Sequence, residues 1–380
     1  MAKNGNGEGS IYEHKRNGKK VGYRGAYTVH TAEGPKRRYV TGKTREEVRR
    51  KLAKAMSDRD SGLVFDADSL TVGEYLDRWL SDSVRGTVRQ STYERCGYAV
   101  RPHIQPALGR IKLKGLTPVH VRRLYREKLD SGLSPATVHK MHVVLHKALA
   151  QAVSDGLLPR NVAEGVKVPQ TRRKEIRPLT PEQTRALLTA ARGDRLEALF
   201  VLAVNTGLRQ GELLALKWED VDLERGVLRV RHTLTRTRGK VTVGVPKTKK
   251  SRRSVELTPA AVETLQAHLS RQLEEMDRMG SLYRPGGLVF ANELGGLINP
   301  SNLRNRSFTR LLEHAGLPAD TRFHDLRHTC ATLLLSRNVN PKIVSEMLGH
   351  SSIAITLDTY SHVLPTMQES ALRALEDVLK

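Results

Sequence analysis

Apolar and polar positions alternate along the first sixty residues in the manner of short strands. Three such stretches, at residues 11–15, 23–31 and 36–41, are rich in Tyr, Val and Thr and are separated by Asn17-Gly18 and Glu33-Gly34-Pro35. Thr44 then stands three residues before Glu47, a capping box that predicts a helix over residues 45–59. The pattern predicts a small three-stranded sheet followed by one helix.

The next hundred residues have the three- and four-residue apolar spacing of amphipathic helices. One helix is predicted over residues 71–80, a second opens at Thr117, and a third starts at Ser134 and Pro135. The stretch ends in a basic, Pro-containing segment without apolar periodicity, residues 166–174, which we interpret as a linker. These elements predict an all-helical bundle.

From about residue 176 the periodicity is mainly helical, with one strand-rich stretch. Residues 227–234 and 241–245 alternate like strands around Arg238-Gly239, and residues 253–257 follow as a third strand. The predicted fold class is multidomain α+β, with a small three-stranded sheet and helix, an all-α bundle, and a mainly α domain holding a small antiparallel sheet. The predicted domains are residues 1–63, 64–168 and 176–380, with a linker at 169–175.

The charge balance indicates the kind of partner. The 380 residues include 64 Lys and Arg against 40 Asp and Glu, a formal net charge of +24. Because the excess is spread over all three predicted domains, each is expected to meet a polyanion, and nucleic acid is favoured over an anionic membrane surface. The predicted amino-terminal sheet could lie in a DNA groove, or its basic residues could form a solvated face. These residues are Lys15, Arg16, Lys19, Lys20, Arg24, Arg37 and Arg38.

Membrane insertion and secretion are not expected from this sequence. The longest apolar run, residues 198–204, is far shorter than the roughly 20 residues of a membrane-spanning helix. The first ten residues lack the apolar core of a secretory signal, so a cytoplasmic location is predicted. Cys96 and Cys330 are expected to be reduced there, and two cysteines cannot assemble a cysteine-based zinc site.

The cluster His324-Asp325-Leu326-Arg327-His328 admits two interpretations. His324 and His328 stand four apart and share a helix face, which imitates the zinc-protease pattern. That pattern has Glu where Asp325 stands, and Arg327 would repel a metal ion. His324 and Arg327, three apart, suit a phosphate better, because the guanidinium fork contacts two nonbridging oxygens and the imidazole donates a further hydrogen bond.

A second arginine suited to the same phosphate lies earlier in the chain. Gly207 provides a turn into a helix that is predicted to carry Arg209 in its first turn. Taken alone, Arg209 could equally form a surface ion pair with Glu212.

Several motifs follow one another in the second half of the chain. They are Asn205-Thr206-Gly207-Leu208-Arg209, Leu216-x-Trp218-x-Asp220-Val221-Asp222, Phe323-His324-Asp325-Leu326-Arg327-His328-Thr329, Leu348-Gly349-His350 and Thr356-x-x-x-Tyr360. In order and spacing they resemble the tyrosine recombinases, also called phage integrases, and cover roughly residues 176–365. The two earlier predicted domains resemble that family's arm-binding amino-terminal domain and its helical core-binding (SAM-like) domain.

The resemblance implies a site-specific DNA recombinase that cuts and rejoins DNA through a 3′-phosphotyrosine intermediate, integrating or excising a mobile element. It implies Tyr360 as the nucleophile, His324 as its base, and His350 as a donor to the phosphate. Arg209 and Arg327 would stabilise the transition state. The implied acid for the leaving 5′ oxygen is Lys247, with Lys249 as the alternative. This chemistry exchanges one phosphoester for another, so neither a metal ion nor a nucleotide cofactor is expected.

The implied partners are double-stranded DNA at core and arm attachment sites and three further copies of the chain in a homotetrameric synapse. An excisionase or a host DNA-bending protein is a further implied partner. The amphipathic tail, residues 364–380, could dock on a neighbouring subunit or on its own domain. Two rival functions stay open at this point: a type IB topoisomerase that relaxes DNA, and a DNA-binding regulator with a vestigial catalytic set.

Overall fold

The computed structural model describes residues 9–16, 19–31, 34–60, 69–171, 176–237, 239–246, 251–361, 372 and 375–379. The chain forms two compact units, residues 1–173 and 174–380. The predicted α+β class is confirmed, with helices throughout and small antiparallel sheets near the amino terminus and in the second unit. No helix among these residues is long and apolar enough to cross a membrane.

The first unit begins with an antiparallel sheet in the order β1-β2-β3, followed by a helix, as the alternation predicts. The elements are β1 (Ser10–Arg16), β2 (Lys19–Thr31), β3 (Gly34–Gly42) and α1 (Arg45–Asp60). Tyr27 and Val29 pack on Leu52 of α1, so one face of the sheet is buried. By alternation Arg24 and Tyr39 lie on the other face, where the guanidinium stacks 4.0 Å from the ring centroid.

The cap of α1 differs from the predicted capping box by one residue. Thr44 Oγ1 accepts from the backbone N–H of Glu47 at 3.1 Å, as predicted. The Glu47 carboxylate, however, accepts from the backbone N–H of Lys43 at 2.9 Å, one residue before the expected donor. The helix start is still fixed by these two residues, because both side chains satisfy amide groups that the helix cannot.

The rest of the first unit is the helical bundle that the spacing predicts. Its helices are α2 (Val72–Arg78), α3 (Gln90–Ala99), α4 (Gln105–Leu108), α5 (Pro118–Asp130) and α6 (Pro135–Ser154). Thr71, Thr117 and Ser134 are the N-caps of α2, α5 and α6, each accepting from the amide three residues on. The helix predicted over 71–80 leaves the α-helical form at Arg78 and continues as a π-helical turn, Trp79–Val84.

The second unit is mainly helical. Its helices are α7 (Pro181–Ala190), α8 (Glu197–Thr206), α9 (Gln210–Leu213), α10 (Pro259–Met279), α11 (Pro300–Asn302), α12 (Thr309–His314), α13 (Asp325–Ser336), α14 (Pro341–Leu348) and α15 (Ile353–Tyr360). Helix α8 is apolar on nearly every side and lies in the core, where Phe200 stacks on Phe308 at 6.1 Å. This packing holds the carboxyl end of α8, and with it the turn that begins at Gly207, in a fixed position.

In the described part of this unit the strands form two separate sheets. One has the order β4-β5-β8 and the other is the hairpin β6-β7. The strands are β4 (Val221–Asp222), β5 (Val227–Val230), β6 (Thr233–Thr237), β7 (Lys240–Gly244) and β8 (Arg253–Glu256). The single strand predicted over 227–234 is therefore wrong. It breaks because Arg231 and His232 both turn to the buried Asp220, at 3.3 and 2.9 Å.

Further predicted features lie wholly or partly outside the described residues, among them the turns at Asn17-Gly18, Glu33-Gly34-Pro35 and Arg238-Gly239. Three others bear on the site and on its surroundings. They are the linker, of which 172–175 is outside, the lysine segment 247–250, and most of the tail from 362 onward. The linker, the choice between Lys247 and Lys249 and the docking of the tail stay predictions.

Candidate active site

The first element of the site is the sharp turn between α8 and α9. Gly207 ends α8 in the left-handed region, at φ +60°, and an added Cβ there would lie 2.5 Å from Leu348 Cδ2. Arg209 follows as the N-cap of α9, with extended backbone angles, and not in the first helical turn as predicted. The chain reverses at this turn, and the side chain of Arg209 stays partly exposed.

Arg209 is held by Glu212, the residue that sequence reasoning offered as a surface ion-pair partner. Arg209 Nη1 donates to Glu212 Oε1 at 2.8 Å. Glu212 is only 4% exposed, and its other oxygen accepts from Arg253 Nη2 at 3.0 Å. Burial opposes ionisation of this carboxyl, but Arg253 and Arg209 outweigh it and hold its pKa below the usual range. The carboxylate is therefore charged and fixes two guanidinium groups.

Arg253, at the start of β8, ties this ion pair to the turn before His350. Its Nε donates to the backbone oxygen of Met347 at 2.6 Å, and its side chain is 7% exposed. Arg209 Nη2 in turn approaches the backbone oxygen of Gly349 at 3.4 Å. The two arginines thus brace the end of α14 from two sides.

Arg327 lies in the first turn of α13 and is almost fully buried, at 3% exposed. Its Nη1 donates to the backbone oxygen of Gly207 at 2.8 Å, which connects α13 to the turn that carries Arg209. Its Nη2 is buried and has no hydrogen-bond partner within the described part of the chain. Burial, and then the charges of Arg209 and Arg253, lower the pKa of Arg327 to about 9, so it stays cationic at neutral pH. Arg327 Nη2 is therefore a buried donor without an acceptor among the described residues.

The predicted histidines face the same cations. His324 is the N-cap of α13, and burial followed by Arg327 and Arg209 lowers its pKa. His350 Nδ1 lies 2.8 Å from Thr356 Oγ1, and burial followed by the same two arginines lowers the pKa of His350 to about 4. Both imidazoles are therefore neutral at neutral pH, and each can donate one ring N–H to an anion.

Tyr360, the last residue of α15, is 1% exposed. Its phenol oxygen lies 2.8 Å from Nδ1 of His328, which is one turn after His324 on α13. Burial raises the pKa of Tyr360 to about 12, although the charge of Arg327 opposes the shift. Burial, and then His324, lower the pKa of His328 to about 4. At neutral pH the phenol is thus protonated and the imidazole beside it is neutral.

The structure brings five of the six candidate residues into one electrostatic cluster, and the sixth, the lysine, lies outside the described residues. The five are Arg209, His324, Arg327, His350 and Tyr360. Three further residues, Glu212, Arg253 and His328, belong to the same cluster. Sequence reasoning assigned none of them a role in the reaction, although it offered Glu212 as an ion-pair partner of Arg209. For His328 two signals are present in the sequence, its four-residue spacing from His324 and its place in the motif at residues 323–329, but neither predicts a contact with Tyr360.

A metal ion has a possible set of ligands elsewhere in this unit. Glu219, Asp220 and His232 each offer one atom within 4.8 Å of the others. Asp220 already accepts from His232 at 2.9 Å and pairs with Arg231 at 3.3 Å. These contacts give the carboxylate a structural role, and the Arg231 cation opposes a metal ion there. Cys96 and Cys330 are free, as expected.

Comparison with known proteins places this cluster in a family. Residues 177–367 match the Phage integrase family, and residues 71–129 match its N-terminal SAM-like domain. A tyrosine recombinase XerC-like protein of Caldanaerobacter subterraneus subsp. tengcongensis is 35% identical, over 96% of this chain and 97% of that protein. An integrase of Streptomyces ambofaciens is 33% identical over 87% of each.

Among solved structures, the Tn1549 transposon integrase in complex with transposon right end DNA superimposes with a TM-score of 0.68. The match covers 82% of this chain and all of that chain at 24% identity, which shows a shared fold. With the family match and the relatives, these findings lead to one conclusion: the chain belongs to the phage integrase family of tyrosine recombinases, enzymes that cut and rejoin DNA.

Proposed function

We propose that this recombinase cuts and rejoins duplex DNA through a 3′-phosphotyrosine on Tyr360, and so integrates or excises a mobile element. The observation that carries the proposal is the buried, unpartnered Nη2 of Arg327 beside Arg209, His350 and Tyr360. A buried guanidinium nitrogen without an acceptor is costly unless an anion supplies one. A phosphodiester supplies that acceptor, and the phenol of Tyr360 lies in the same electrostatic cluster.

Arg209, Arg327, His324 and His350 would donate to the nonbridging oxygens of the scissile phosphate. In the transition state these oxygens gain charge, and fixed donors there act like an oxyanion hole. Removing one such donor typically slows the reaction about 100–1000-fold. The family resemblance implies His324 as the base of Tyr360, and that role changes here. The ring of His324 lies 5.0 Å from that of His328, centroid to centroid, and among the described residues the phenol of Tyr360 is hydrogen-bonded to His328, so we assign His324 to the phosphate.

The leaving 5′ oxygen needs a proton, which Lys247 would provide, with Lys249 as the alternative. Both lie outside the described residues, three and five positions beyond the end of β7 at Gly244. Because one phosphoester replaces another, the proposed mechanism needs no metal ion and no nucleotide cofactor.

The predicted arm-binding domain, residues 1–63, and core-binding domain, residues 64–168, would grip arm and core attachment sites on duplex DNA. The +24 charge supports this, and so does the Arg24–Tyr39 stack on the sheet face opposite α1. A homotetramer in the synapse, an excisionase or host DNA-bending protein, and a cytoplasmic location belong to the same proposal. The relatives are recombinases and integrases, so the topoisomerase alternative is not favoured.

The test is trapping of a covalent protein–DNA complex on a nicked duplex made from the junction DNA that flanks the gene. The wild-type protein should give a complex that survives denaturation, in EDTA as well as in Mg²⁺. Tyr360→Phe should bind the same duplex and give none. Two results would contradict the mechanism: a covalent complex formed by Tyr360→Phe, or loss of the wild-type covalent complex in EDTA.

A further inference from the structure

His328 contacts the phenol oxygen of Tyr360, the atom that attacks phosphorus in the proposed mechanism. That mechanism assigns no role to His328. Its Nδ1 lies 2.8 Å from the phenol oxygen of Tyr360. The ring centroids are 5.7 Å apart at an interplanar angle of 57°, so the imidazole meets the phenol edge and not its face. This is the geometry of a hydrogen bond between the two groups and not of ring stacking.

The placement of His328 follows from helix α13. His324 and His328 are one turn apart, so their rings lie together, with centroids 5.0 Å apart and nearly perpendicular. Of the two rings, His328 reaches the tyrosine, while His324 lies at the helix start and feels Arg327 and Arg209 most strongly. The helix therefore separates two duties, one toward the phosphate and one toward the phenol.

We propose that His328 is a catalytic residue that holds Tyr360 and takes its proton. As the phenol oxygen attacks phosphorus, its O–H bond breaks and the proton passes to Nδ1 of His328. The new O–P bond forms while the bond from phosphorus to the 5′ oxygen breaks, and that oxygen takes a proton from the lysine named above. The inference rests on the proposed function, since it needs Tyr360 as the nucleophile.

The charges around His328 keep its Nδ1 available as an acceptor. His324, Arg327 and Arg322 add to burial in holding its pKa low, and Asp325 alone opposes them. His350 lies within electrostatic range on the side of α14, and Tyr360 itself is protonated. The imidazole is therefore neutral at neutral pH and can accept a proton.

Burial of both groups holds the reaction off before DNA arrives. The phenol pKa of about 12 and the imidazole pKa of about 4 leave the proton on the tyrosine in the free protein. A phosphodiester placed on Arg209 and Arg327 brings a negative charge that offsets these cations, so the affinity of the imidazole for a proton rises. Proton transfer then becomes possible only with the substrate bound.

The experiment compares His328→Asn with His324→Asn on the nicked junction duplex described above. Asparagine can still hydrogen-bond the phenol through its short amide but cannot take up a proton. Single-turnover formation of the covalent complex is measured from pH 5 to pH 10. The rate of His328→Asn should fall about 100–10,000-fold, the usual contribution of a general base.

The pH profile separates catalysis from structure. Wild type and His324→Asn should rise with pH and level off once the imidazole of His328 is free, whereas His328→Asn should keep rising as the phenol itself ionises. A levelling profile in His328→Asn, or a rate equal to or above wild type, overturns the inference. Loss of the plateau in His324→Asn alone assigns the base to His324 and also overturns it.

Two further measurements separate a failure of the His328 assignment from a failure of the proposed function. Both asparagine variants should still bind the duplex and unfold cooperatively in urea, which shows that they are folded. If Tyr360→Phe were trapped on DNA, the proposed function would fail at the nucleophile. If only the His328 result failed, Tyr360 would stand and another group would be its base.

Discussion

Glu212 and Arg253 form a buried ion pair, with Arg253 Nη2 3.0 Å from Glu212 Oε2. Because the other carboxylate oxygen accepts from Arg209, one buried acid positions both the arginine proposed to bind phosphate and the arginine that braces the turn before His350. The site's geometry thus depends on a residue that touches no substrate.

Glu212→Gln should weaken both stability and cleavage. Removing one partner of a buried pair leaves an uncompensated cation and typically costs about 3–5 kcal/mol. Arg209 would also lose its fixed direction, and a displacement of about 1 Å can slow a reaction about 100-fold. Urea unfolding and single-turnover cleavage measure the two effects.

The matched control is Glu275→Gln. Glu275 pairs with Arg195 through both oxygens, at 2.6 and 2.7 Å, in the same unit but with other partners than the site residues. This change should reduce stability and leave the cleavage rate of the folded protein unchanged. Equal loss of cleavage in both variants would mean that Glu212 acts through stability alone.

Gly207→Ala should disturb Arg327 through the backbone. A Cβ at φ +60° is strained by about 1 kcal/mol or more, and it would meet Leu348 at 2.5 Å. The carbonyl that Arg327 Nη1 uses belongs to the same residue, so the guanidinium would move with it. The expected result is a lower unfolding midpoint together with slower covalent complex formation.

Gly193→Ala is the control for backbone strain alone. Gly193 also has a positive φ, +77°, but nothing lies within 4 Å of an added Cβ. It should cost stability without slowing cleavage. A Gly207→Ala enzyme with the wild-type cleavage rate would show that the turn does not set the position of Arg327.

The two cysteines should react with a thiol reagent at very different rates. Burial raises the pKa of Cys330 to about 12, and the residue is buried, so little thiolate forms and the reagent cannot reach it. Cys96 is half-buried, and burial raises its pKa as well. Counting thiols with Ellman's reagent at pH 8 should show slow labelling of Cys96 and labelling of Cys330 only in urea. A Cys96→Ser protein that labels without urea would contradict this.

Stability should fall as the pH drops from about 6.5 toward about 4. An unfolded histidine has a pKa near 6.5, whereas burial lowers the pKa of His328 and His350 to about 4 in the folded protein. The unfolded chain therefore binds more protons in this window, and protonation favours unfolding. Urea unfolding at several pH values measures the slope. His350→Gln should flatten it, and an unchanged slope would show that this imidazole titrates normally.

Local features of the fold and the grouping of the main site residues could be predicted from the sequence. The caps at Thr71, Thr117 and Ser134 depend on residues three positions apart, so a one-dimensional pattern contains them. The order and spacing of the recombinase motifs also pointed to Arg209, Arg327 and Tyr360 as one group.

Contacts between residues far apart in the sequence could not be predicted from its local patterns. The burial of Glu212 depends on Arg253, forty-one positions later, and strand β5 ends because Arg231 turns back to Asp220. The contact of His328 with Tyr360 spans thirty-two positions. No periodicity reports such pairs, because periodicity records which face of an element is apolar and not what meets it.

The burial of Tyr360 has a consequence for when the enzyme becomes dangerous to DNA. Tyr360 as a whole is 1% exposed and its phenol oxygen is hydrogen-bonded to His328, so the proposed nucleophile cannot meet a phosphodiester by random collision. Contacts along the DNA must come first, and they must open the approach to the phenol before any strand can break. On unrelated DNA sequence these contacts would not form, so the protein would bind such DNA without nicking it. Part of its specificity would then come from this required sequence of steps and not from binding affinity.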